Sequence, residues 1–339
     1  MPDRPPDYVY VPEAPKMPGL VFRRVRDEID FAKITDVVNA SWEGDLVDAH
    51  TMRDEIAEGF WRSQNFDPEN DAMLAEVDGR VVGYANVSWQ LKPGKVIVYF
   101  QIAHLIPEWR GRGLREAMLA HNERRILELS YSHPSKPRKL IETYANVRDN
   151  DWKALIERSG YTPGWYLYGM ARPLEKELPD HPLPDSVEAR QVDRGDLWKI
   201  WRAAREAFRD AREFSEDKWS KKAFERRNAS RQLQPELWQI AWQGSDVVGG
   251  VHVWIDDDEN AALGRVWGHT EQVFVARKWR GKSVAKALIS RALAELKRKG
   301  MECATLDVDS ENLSGALRLY EGLGYSKYSE FVFYRKPLS

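Results

Sequence analysis

The chain of 339 residues is longer than one hydrophobic core usually supports, so two domains of ordinary size are expected. Its 51 basic and 53 acidic residues give a formal net charge of −2, which argues against nucleic acid or an anionic membrane surface as a partner. No stretch approaches the roughly 18 uninterrupted apolar residues of a membrane span, and the proline-rich N-terminus lacks the apolar segment of a signal peptide. Cys303 is the only cysteine, which excludes an internal disulfide and fits a reducing, cytoplasmic location.

A polar segment with several prolines divides the chain into two halves. Residues 175–186 hold three prolines. Because proline neither extends a helix nor fits a central strand, this segment is predicted to be a linker. The division gives an extended segment over residues 1–18, a first domain over 19–174 and a second domain over 187–339.

Each half carries the same series of predicted elements, β-α-β-β-β-α-β-α-β. The series begins with a strand and a helix, continues with a hairpin and a third apolar strand, and ends with two strand-and-helix alternations and a closing strand. The matching segments are 21–25 and 187–192, 30–42 and 197–208, 73–87 and 237–254, 114–130 and 284–296, 140–144 and 304–308, and 165–170 and 331–334. This order predicts an α/β fold with two tandem domains, each a mixed, mostly antiparallel sheet flanked by helices.

In both halves a short apolar strand leads into a basic turn with glycine and then into a helix. These segments are residues 105–114 in the first half and 272–285 in the second. Such a turn directs several backbone N–H groups and the positive end of a helix at one spot, which suits a phosphate or pyrophosphate. The duplication leaves open which of the two turns is functional.

The two turns resemble the pyrophosphate loop of the GNAT superfamily of acyl-CoA-dependent N-acetyltransferases, which reads Gln/Arg-x-x-Gly-x-Gly/Ala. Residues 280–285, Arg-Gly-Lys-Ser-Val-Ala, depart from it at Ser283, where glycine is usual, and residues 110–115 depart at Arg115, where a small residue is usual. Residues 312–325 are similar to the second signature of that superfamily, with Asn, Ala, Leu-Tyr and Gly-aromatic at matching spacing. The resemblance covers nearly the whole chain as two GNAT domains, an arrangement found in the mycothiol synthase family.

The resemblance implies coenzyme A, as acetyl-CoA, as the cofactor, and it implies contact residues in both halves. In the second domain these are Val273, Phe274 and Val275 of the strand, Arg280, Gly281, Lys282, Ser283, Val284 and Ala285 of the loop, and Asn312. In the first domain they are Arg110, Gly111, Arg112 and Gly113. Asn312 is equally well explained as a helix N-cap.

Two residues of the second domain are the candidates for proton transfer. Tyr320 lies where the family places its general acid, and a phenol with an ordinary pKa of about 10 is protonated at neutral pH. Glu271, on the strand before the loop, is the candidate base. The alternatives are an ordinary helix aromatic for Tyr320 and a solvated strand residue for Glu271, with His269, Asp307 and Asp309 as further candidates for the base.

The first domain departs from the family where chemistry is needed. A gapless overlay of Gly160-Tyr161 on Gly324-Tyr325 places Ile156 opposite Tyr320. Isoleucine cannot donate a proton, so the first domain is predicted to keep the scaffold, with or without bound CoA, but to do little chemistry.

The sequence therefore predicts an N-acetyltransferase whose acceptor is a primary amine on a small molecule, working as a monomer or homodimer. A protein N-terminus or lysine as acceptor, a mycothiol synthase-like enzyme and a non-catalytic acyl-CoA-binding protein remain alternatives. No His/Cys spacing typical of a metal site is present, so no metal is expected. The acceptor pocket is expected from residues 210–232.

Overall fold

The computed structural model describes residues 7–26, 28–47, 50–53, 56, 65–92, 94–212, 214–230, 232–310 and 315–338. The chain forms two compact units, the first made of Met1–Trp165 with Phe331–Ser339 and the second of Tyr166–Glu330. In each unit helices pack on a mixed sheet, which confirms the predicted α/β class. No helix in the described part of the chain is both long and apolar enough to cross a membrane.

The first unit is a sheet with one parallel pair. Its strands are β1 (Leu20–Arg23), β2 (Ala72–Val77), β3 (Arg80–Lys92), β4 (Val96–Leu105) and β5 (Arg138–Asn146), and its helices are α1 (Glu28–Gly44), α2 (Leu114–Tyr131) and α3 (Asn150–Arg158). Neighbouring strands pair antiparallel except β4 and β5, which run parallel and pair only over residues 96–100 and 138–142. The apolar side chains of α1 at positions 31, 34, 37 and 38 recur at helical spacing and are buried against this sheet.

The second unit repeats this plan. Its strands are β6 (Thr162–Pro173, from residue 166), β7 (Glu188–Arg190), β8 (Gln239–Gln243), β9 (Asp246–Ile255), β10 (Trp267–Val275) and β11 (Cys303–Asp309), and its helices are α4 (Leu197–Phe208), α5 (Lys221–Asn228), α6 (Asp257–Leu263), α7 (Val284–Arg298) and α8 (Ala316–Gly322). Here β10 and β11 form the parallel pair. The stripe Val284, Leu288, Ala292 and Leu296 of α7 is buried, as its spacing predicts.

The closing strands are exchanged between the two halves of the chain. Residues 167–173 of β6 pair antiparallel with β11 in the second unit, and residues 331–337 of β12 (Ser326–Pro337) pair antiparallel with β5 in the first. The sequence pattern places each closing strand in its own half, within the predicted domains 19–174 and 187–339. The strand pairing instead places each closing strand in the other unit. Strand patterns predict that a segment completes a sheet, but equivalent segments of a duplicated fold can complete either sheet, as in domain swapping.

Candidate active site

A β-bulge distorts β10 just before the basic loop. Glu271 lies opposite His252 of β9, and Phe274 lies opposite Gly250. Between these two pairs β10 advances by three residues while β9 advances by two. Gln272, within the bulge, has a φ of 45°, which is unusual for a residue with a side chain. The extra residue resets the alternation of side chains, so that Phe274 rather than Val273 shares a face with Glu271.

Glycine at position 250 makes room for this bulge. A Cβ atom there would lie 2.5 Å from the ring of Phe274 and 2.6 Å from Ile240. Phe274 is thereby able to pack into the apolar cluster below α4. The bulge is thus held by the packing of a buried aromatic ring as well as by backbone pairing.

β10 and β11 separate at the same level. Their parallel register runs from Trp267 with Cys303 to His269 with Thr305, and no β11 partner is recorded in the described chain for the later residues of β10. The edge of β10 over residues 270–275 is therefore open toward the gap between the two strands. Backbone groups on this edge are available to a ligand.

The basic loop presents backbone amides at the end of this gap. Gly281 has a φ of 74° and Ser283 a φ of 60°, and α7 begins at the next residue. Among the described residues, no acceptor is recorded for the N–H groups from Gly281 to Ala285. In the first unit Gly111 and Gly113 adopt the same conformations, with φ of 70° and 83°. Ser283 thus takes the left-handed backbone conformation of Gly113, and the two loops share a concavity of backbone amides whose shape suits an anion.

The arginine of each loop anchors the loop to a helix. Arg280 donates to the carbonyl oxygen of Ala207 at 2.9 Å and lies 3.5 Å from the Asp210 carboxylate. Arg110 likewise donates to the carbonyl oxygen of Ser41 at 3.0 Å and to Asp45. These guanidinium groups fix the loops to the ends of α4 and α1, whereas a direct contact with a cofactor was the role suggested by the sequence resemblance.

The second basic residue of each loop lies over a tryptophan. The Nζ of Lys282 is 4.8 Å from the ring centroid of Trp279, and the guanidinium of Arg112 is 4.7 Å from that of Trp109. Lys282 lies at the exposed loop surface, so its charge reaches the concavity formed by the amides.

Tyr320 lies on the α7 side of the sheet. Its side chain is 8 % exposed within the main core of the second unit, and its ring packs edge-on against Tyr325. The Tyr325 hydroxyl is 2.8 Å from the Oγ1 of Thr270, which precedes Glu271 on β10. Burial raises the pKa of Tyr320 well above its usual value, so the phenol is protonated at neutral pH.

Glu271 lies on the opposite face of the sheet. Because side chains alternate along a strand, Glu271 shares this face with His252 and Asp307. Thr270 and Leu306 lie on the other face, toward α7. Tyr320 and Glu271 therefore lie on opposite faces of the sheet. An acid and a base placed in this way can act on the two ends of one reaction.

The further candidates for the base have different surroundings. Both ring nitrogens of His269 have protein partners, Glu259 at 3.1 Å and Thr305 at 3.0 Å, and Asp309 pairs with Arg212 at 3.0 Å. Asp307 is open to solvent, and the structure records no ion pair for it among the described residues. Protein atoms around the carboxyl group nevertheless remove part of its hydration, and this burial raises its pKa. Together with the Glu271 and Glu259 carboxylates it raises the pKa of Asp307 to about 6.

In the first unit the corresponding gap is filled by protein. Arg115, on α2, donates from its Nε to the carbonyl oxygen of Ala103 at 2.9 Å and pairs with Asp149 at 2.8 Å, and its guanidinium lies 4.5 Å from the ring centroid of Trp152. The cavity left beside these residues has about 20 Å³ of free volume, enough for one water molecule. In addition, β4 pairs with β3 without a bulge.

The two positions whose side chains fill the first gap both carry alanine in the second unit. Aligning the two Arg-Gly turns places Ala285 at the position of Arg115 and Val273 at that of Ala103, and aligning the two Gly-Tyr pairs places Ala316 at that of Trp152. Arg115 and Trp152 thus occupy the gap of the first unit, and alanine stands at both equivalent positions of the second.

The structure brings most of the predicted residues of the second half around this gap. The bulged strand (Val273, Phe274, Val275), Glu271 and the loop (Gly281 to Ala285) border it, and Tyr320 packs in the core on the α7 side of the sheet. Asn312 lies outside the described residues. Sequence reasoning missed Arg115 as a side chain that fills the first gap, although its departure from the small residue of the loop pattern was the available signal.

Comparison with known proteins identifies the family. The model of the acetyltransferase (GNAT) family matches residues 198–325. A protein of Thermobispora bispora named mycothiol acetyltransferase is 30 % identical over 272 residues, which cover 79 % of this chain and 85 % of that protein. The chain therefore belongs to the GNAT family of acetyltransferases, and the prediction of an acyltransferase enzyme of this family is confirmed.

Solved structures agree with this assignment at the level of the fold. A GCN5-related N-acetyltransferase from Sphaerobacter thermophilus superposes with a TM-score of 0.70 at 24 % identity, covering 94 % of this chain and 95 % of the other. A tandem GNAT protein from the clavulanic acid biosynthesis pathway superposes with a TM-score of 0.67 at 15 % identity, covering 94 % and 98 %. The fold predicted from the duplicated sequence pattern is confirmed.

Proposed function

We propose that the protein transfers an acetyl group from acetyl-CoA to a primary amine of a small molecule, and that the second unit carries out the reaction. The observation that supports the choice of unit is the contrast between the two gaps. The gap between β10 and β11 is open and adjoins a bulge, whereas Arg115 and Trp152 fill the gap between β4 and β5. The first unit is then a scaffold that has lost the reaction.

The residues around the second gap fit coenzyme A. The amides from Gly281 to Ala285, with Lys282 beside them, suit a pyrophosphate, and the unpaired edge of β10 suits the amide groups of a pantetheine arm. Acetyl-CoA supplies an activated thioester when it is bound. A backbone N–H of the bulge near Val273 is the proposed donor to the thioester carbonyl oxygen.

Proton transfer is assigned to the two faces of the sheet. Glu271 accepts a proton from the acceptor ammonium, directly or through water, and this gives the neutral amine that attacks the thioester carbon. Tyr320, whose raised pKa keeps it protonated at neutral pH, donates its phenolic proton to the departing thiolate, and the proton that the attacking nitrogen loses as the amide forms restores the phenol through solvent. The amine proton and the thiolate proton are therefore handled by different groups.

Asp307 is expected to influence the pH dependence. Because its pKa is raised to about 6, it is a carboxylate at about pH 7.5 and attracts an ammonium group, and this attraction is lost as the pH falls through 6. Asp307→Asn is expected to lower kcat/KM for the amine on the order of tenfold at about pH 7.5. It should also remove the acidic limb of the pH profile, the fall in kcat/KM near pH 6. Asp151→Asn removes an exposed charge from the first unit and should leave the profile unchanged. An unaltered limb in Asp307→Asn would contradict this role.

The acceptor is proposed to be a small molecule because the relatives that match across most of the chain are named mycothiol acetyltransferase. An acceptor of the mycothiol type is a second candidate, and these names are the observation that favours it. A non-catalytic acyl-CoA-binding protein is the contrasting possibility.

Release of the free thiol of CoA, measured with acetyl-CoA and a panel of small primary amines, tests the proposal. Turnover above the rate without amine is expected for at least one compound, with an N-acetylated product of matching mass. Tight binding of CoA without turnover on any amine, on mycothiol-type compounds or on peptides would instead indicate a binding protein.

A further inference from the structure

Arg227, near the candidate base, is a cation for which the described residues supply no partner. It lies on α5 with a half-buried side chain, and no ion pair or hydrogen bond of its guanidinium is recorded in the described part of the chain. Burial lowers the pKa of Arg227, and the nearby Glu271 opposes this effect. Arginines in enclosed positions elsewhere do have partners, as Arg23 does in Asp30 and Glu76. A guanidinium in such a place ordinarily has a counter-charge.

His252 is a second group with unmet hydrogen bonds at the same place. Its side chain is 2 % exposed, and neither ring nitrogen has a hydrogen-bond partner among the described residues; the side chain of Gln272, whose Oε1 also lacks one there, lies near the ring. The ring stacks on Trp238 at 3.7 Å and lies directly opposite Glu271 on the same face. Burial and the charge of Arg227 lower the pKa of His252 well below its usual value, so the ring is neutral with one donor and one acceptor.

The charges around Glu271 are arranged with opposite signs on its two sides. Arg227 lies on the α5 side, and the Asp307 carboxylate lies on the β11 side. Arg227 lies one helical turn after Phe224, which packs against the cluster of Trp238 and Phe274, and these two rings contact His252 on this face of the sheet. No ion pair between Arg227 and Glu271 is found among the described residues. An arginine in this position favours a planar oxyanion, which accepts two parallel hydrogen bonds.

We propose that Arg227 and His252 bind an oxyanion of the acceptor, so that the acceptor is a compact amine that also carries a carboxylate, as an amino acid does. The carboxylate lies against Arg227 and accepts a hydrogen bond from His252, and the ammonium group lies toward Glu271 and Asp307. This inference rests on the proposed function, because it names the acceptor class of the same site.

The test compares amino acids with their primary amides as acceptors. Each pair differs only in the charge of the group that Arg227 would bind. The wild-type protein is expected to prefer the acids in kcat/KM by on the order of 10- to 100-fold, the effect of charge-assisted hydrogen bonds. In Arg227→Gln the ratio should fall toward one, through a raised KM for the acids, while the amides change by less than about threefold.

Three further variants separate recognition from folding. Lys222→Gln removes the same charge from an exposed position of the same helix and should keep the wild-type ratio. Arg227→Lys keeps the charge without the planar fork and should give an intermediate ratio. His252→Gln should reduce the preference for acids as well. Thermal unfolding of each variant checks that the fold is retained.

Equal use of acids and amides by the wild type, or an unchanged ratio in Arg227→Gln, would overturn the proposal while leaving acetyl transfer in place. If no amine is turned over, the proposed function fails, and the same pairs are compared by calorimetry with CoA present. Binding of the acids that weakens in Arg227→Gln would still support the oxyanion site, and absence of such binding would reject it.

Discussion

Tyr320→Phe is expected to lower kcat by about 10²- to 10⁴-fold, the usual contribution of a positioned general acid. Phenylalanine keeps the ring that packs against Tyr325 in the core, so the fold and the binding of CoA should change little. The variant removes only the proton that the thiolate would receive. Thiol release in steady state, together with CoA affinity by calorimetry, measures the two effects separately.

Tyr325→Phe is the matched control for this substitution. Its hydroxyl contacts Thr270 at 2.8 Å and is not assigned to the reaction, so its loss should lower stability by about 1 kcal/mol with a small effect on kcat. A Tyr320→Phe enzyme with wild-type kcat would show that the thiolate leaves without this proton. The catalytic assignment of Tyr320 would then be wrong.

Ala285→Arg is expected to inactivate the second unit by reproducing the filled gap of the first. Arg115 shows where a guanidinium at this position reaches, since it donates to the carbonyl oxygen of Ala103 on the neighbouring strand. At position 285 the same side chain would occupy the edge of β10 proposed for the pantetheine arm. A loss of at least about 100-fold in kcat/KM is expected, with weaker CoA binding, because small displacements of a reacting group already cost this much.

Two controls accompany this prediction. Ala285→Ser changes the position without filling the gap and should retain most activity. Arg115→Met combined with Asp149→Asn replaces the buried pair of the first unit without leaving an unpaired charge, and it should leave turnover unchanged. If this double variant lost activity while Ala285→Arg remained active, the roles of the two units would be reversed.

Local pattern in the sequence was enough to predict the longer helices and the basic loops, but not the short helices α5 and α6. The predicted helix over residues 197–208 coincides with α4, and the predicted helix over 114–130 ends one residue before α2 does. Apolar spacing and glycine positions act within a few residues, so they can be read along the chain. The positive φ of Ser283 follows from its alignment with Gly113 in the duplicated loop.

Features that depend on distant parts of the chain were not predictable in this way. The bond between Arg280 and the end of α4 joins residues 73 positions apart, and the filling of the first gap depends on Arg115 meeting Asp149. Arg227 and His252 belong to no motif in the sequence, because both were singled out by the absence of partners among the described residues of the folded unit. Such contacts require the relative position of elements that sequence patterns specify only separately.

The exchange of the closing strands has a consequence for biosynthesis. The sheet of the first unit is completed by residues 331–337, which are translated after the whole of the second unit. The ribosome therefore synthesises all of the second unit before β5 acquires this neighbour, and until then one edge of the early half stays exposed. Maturation of the half that is translated first thus waits for the half that is translated last.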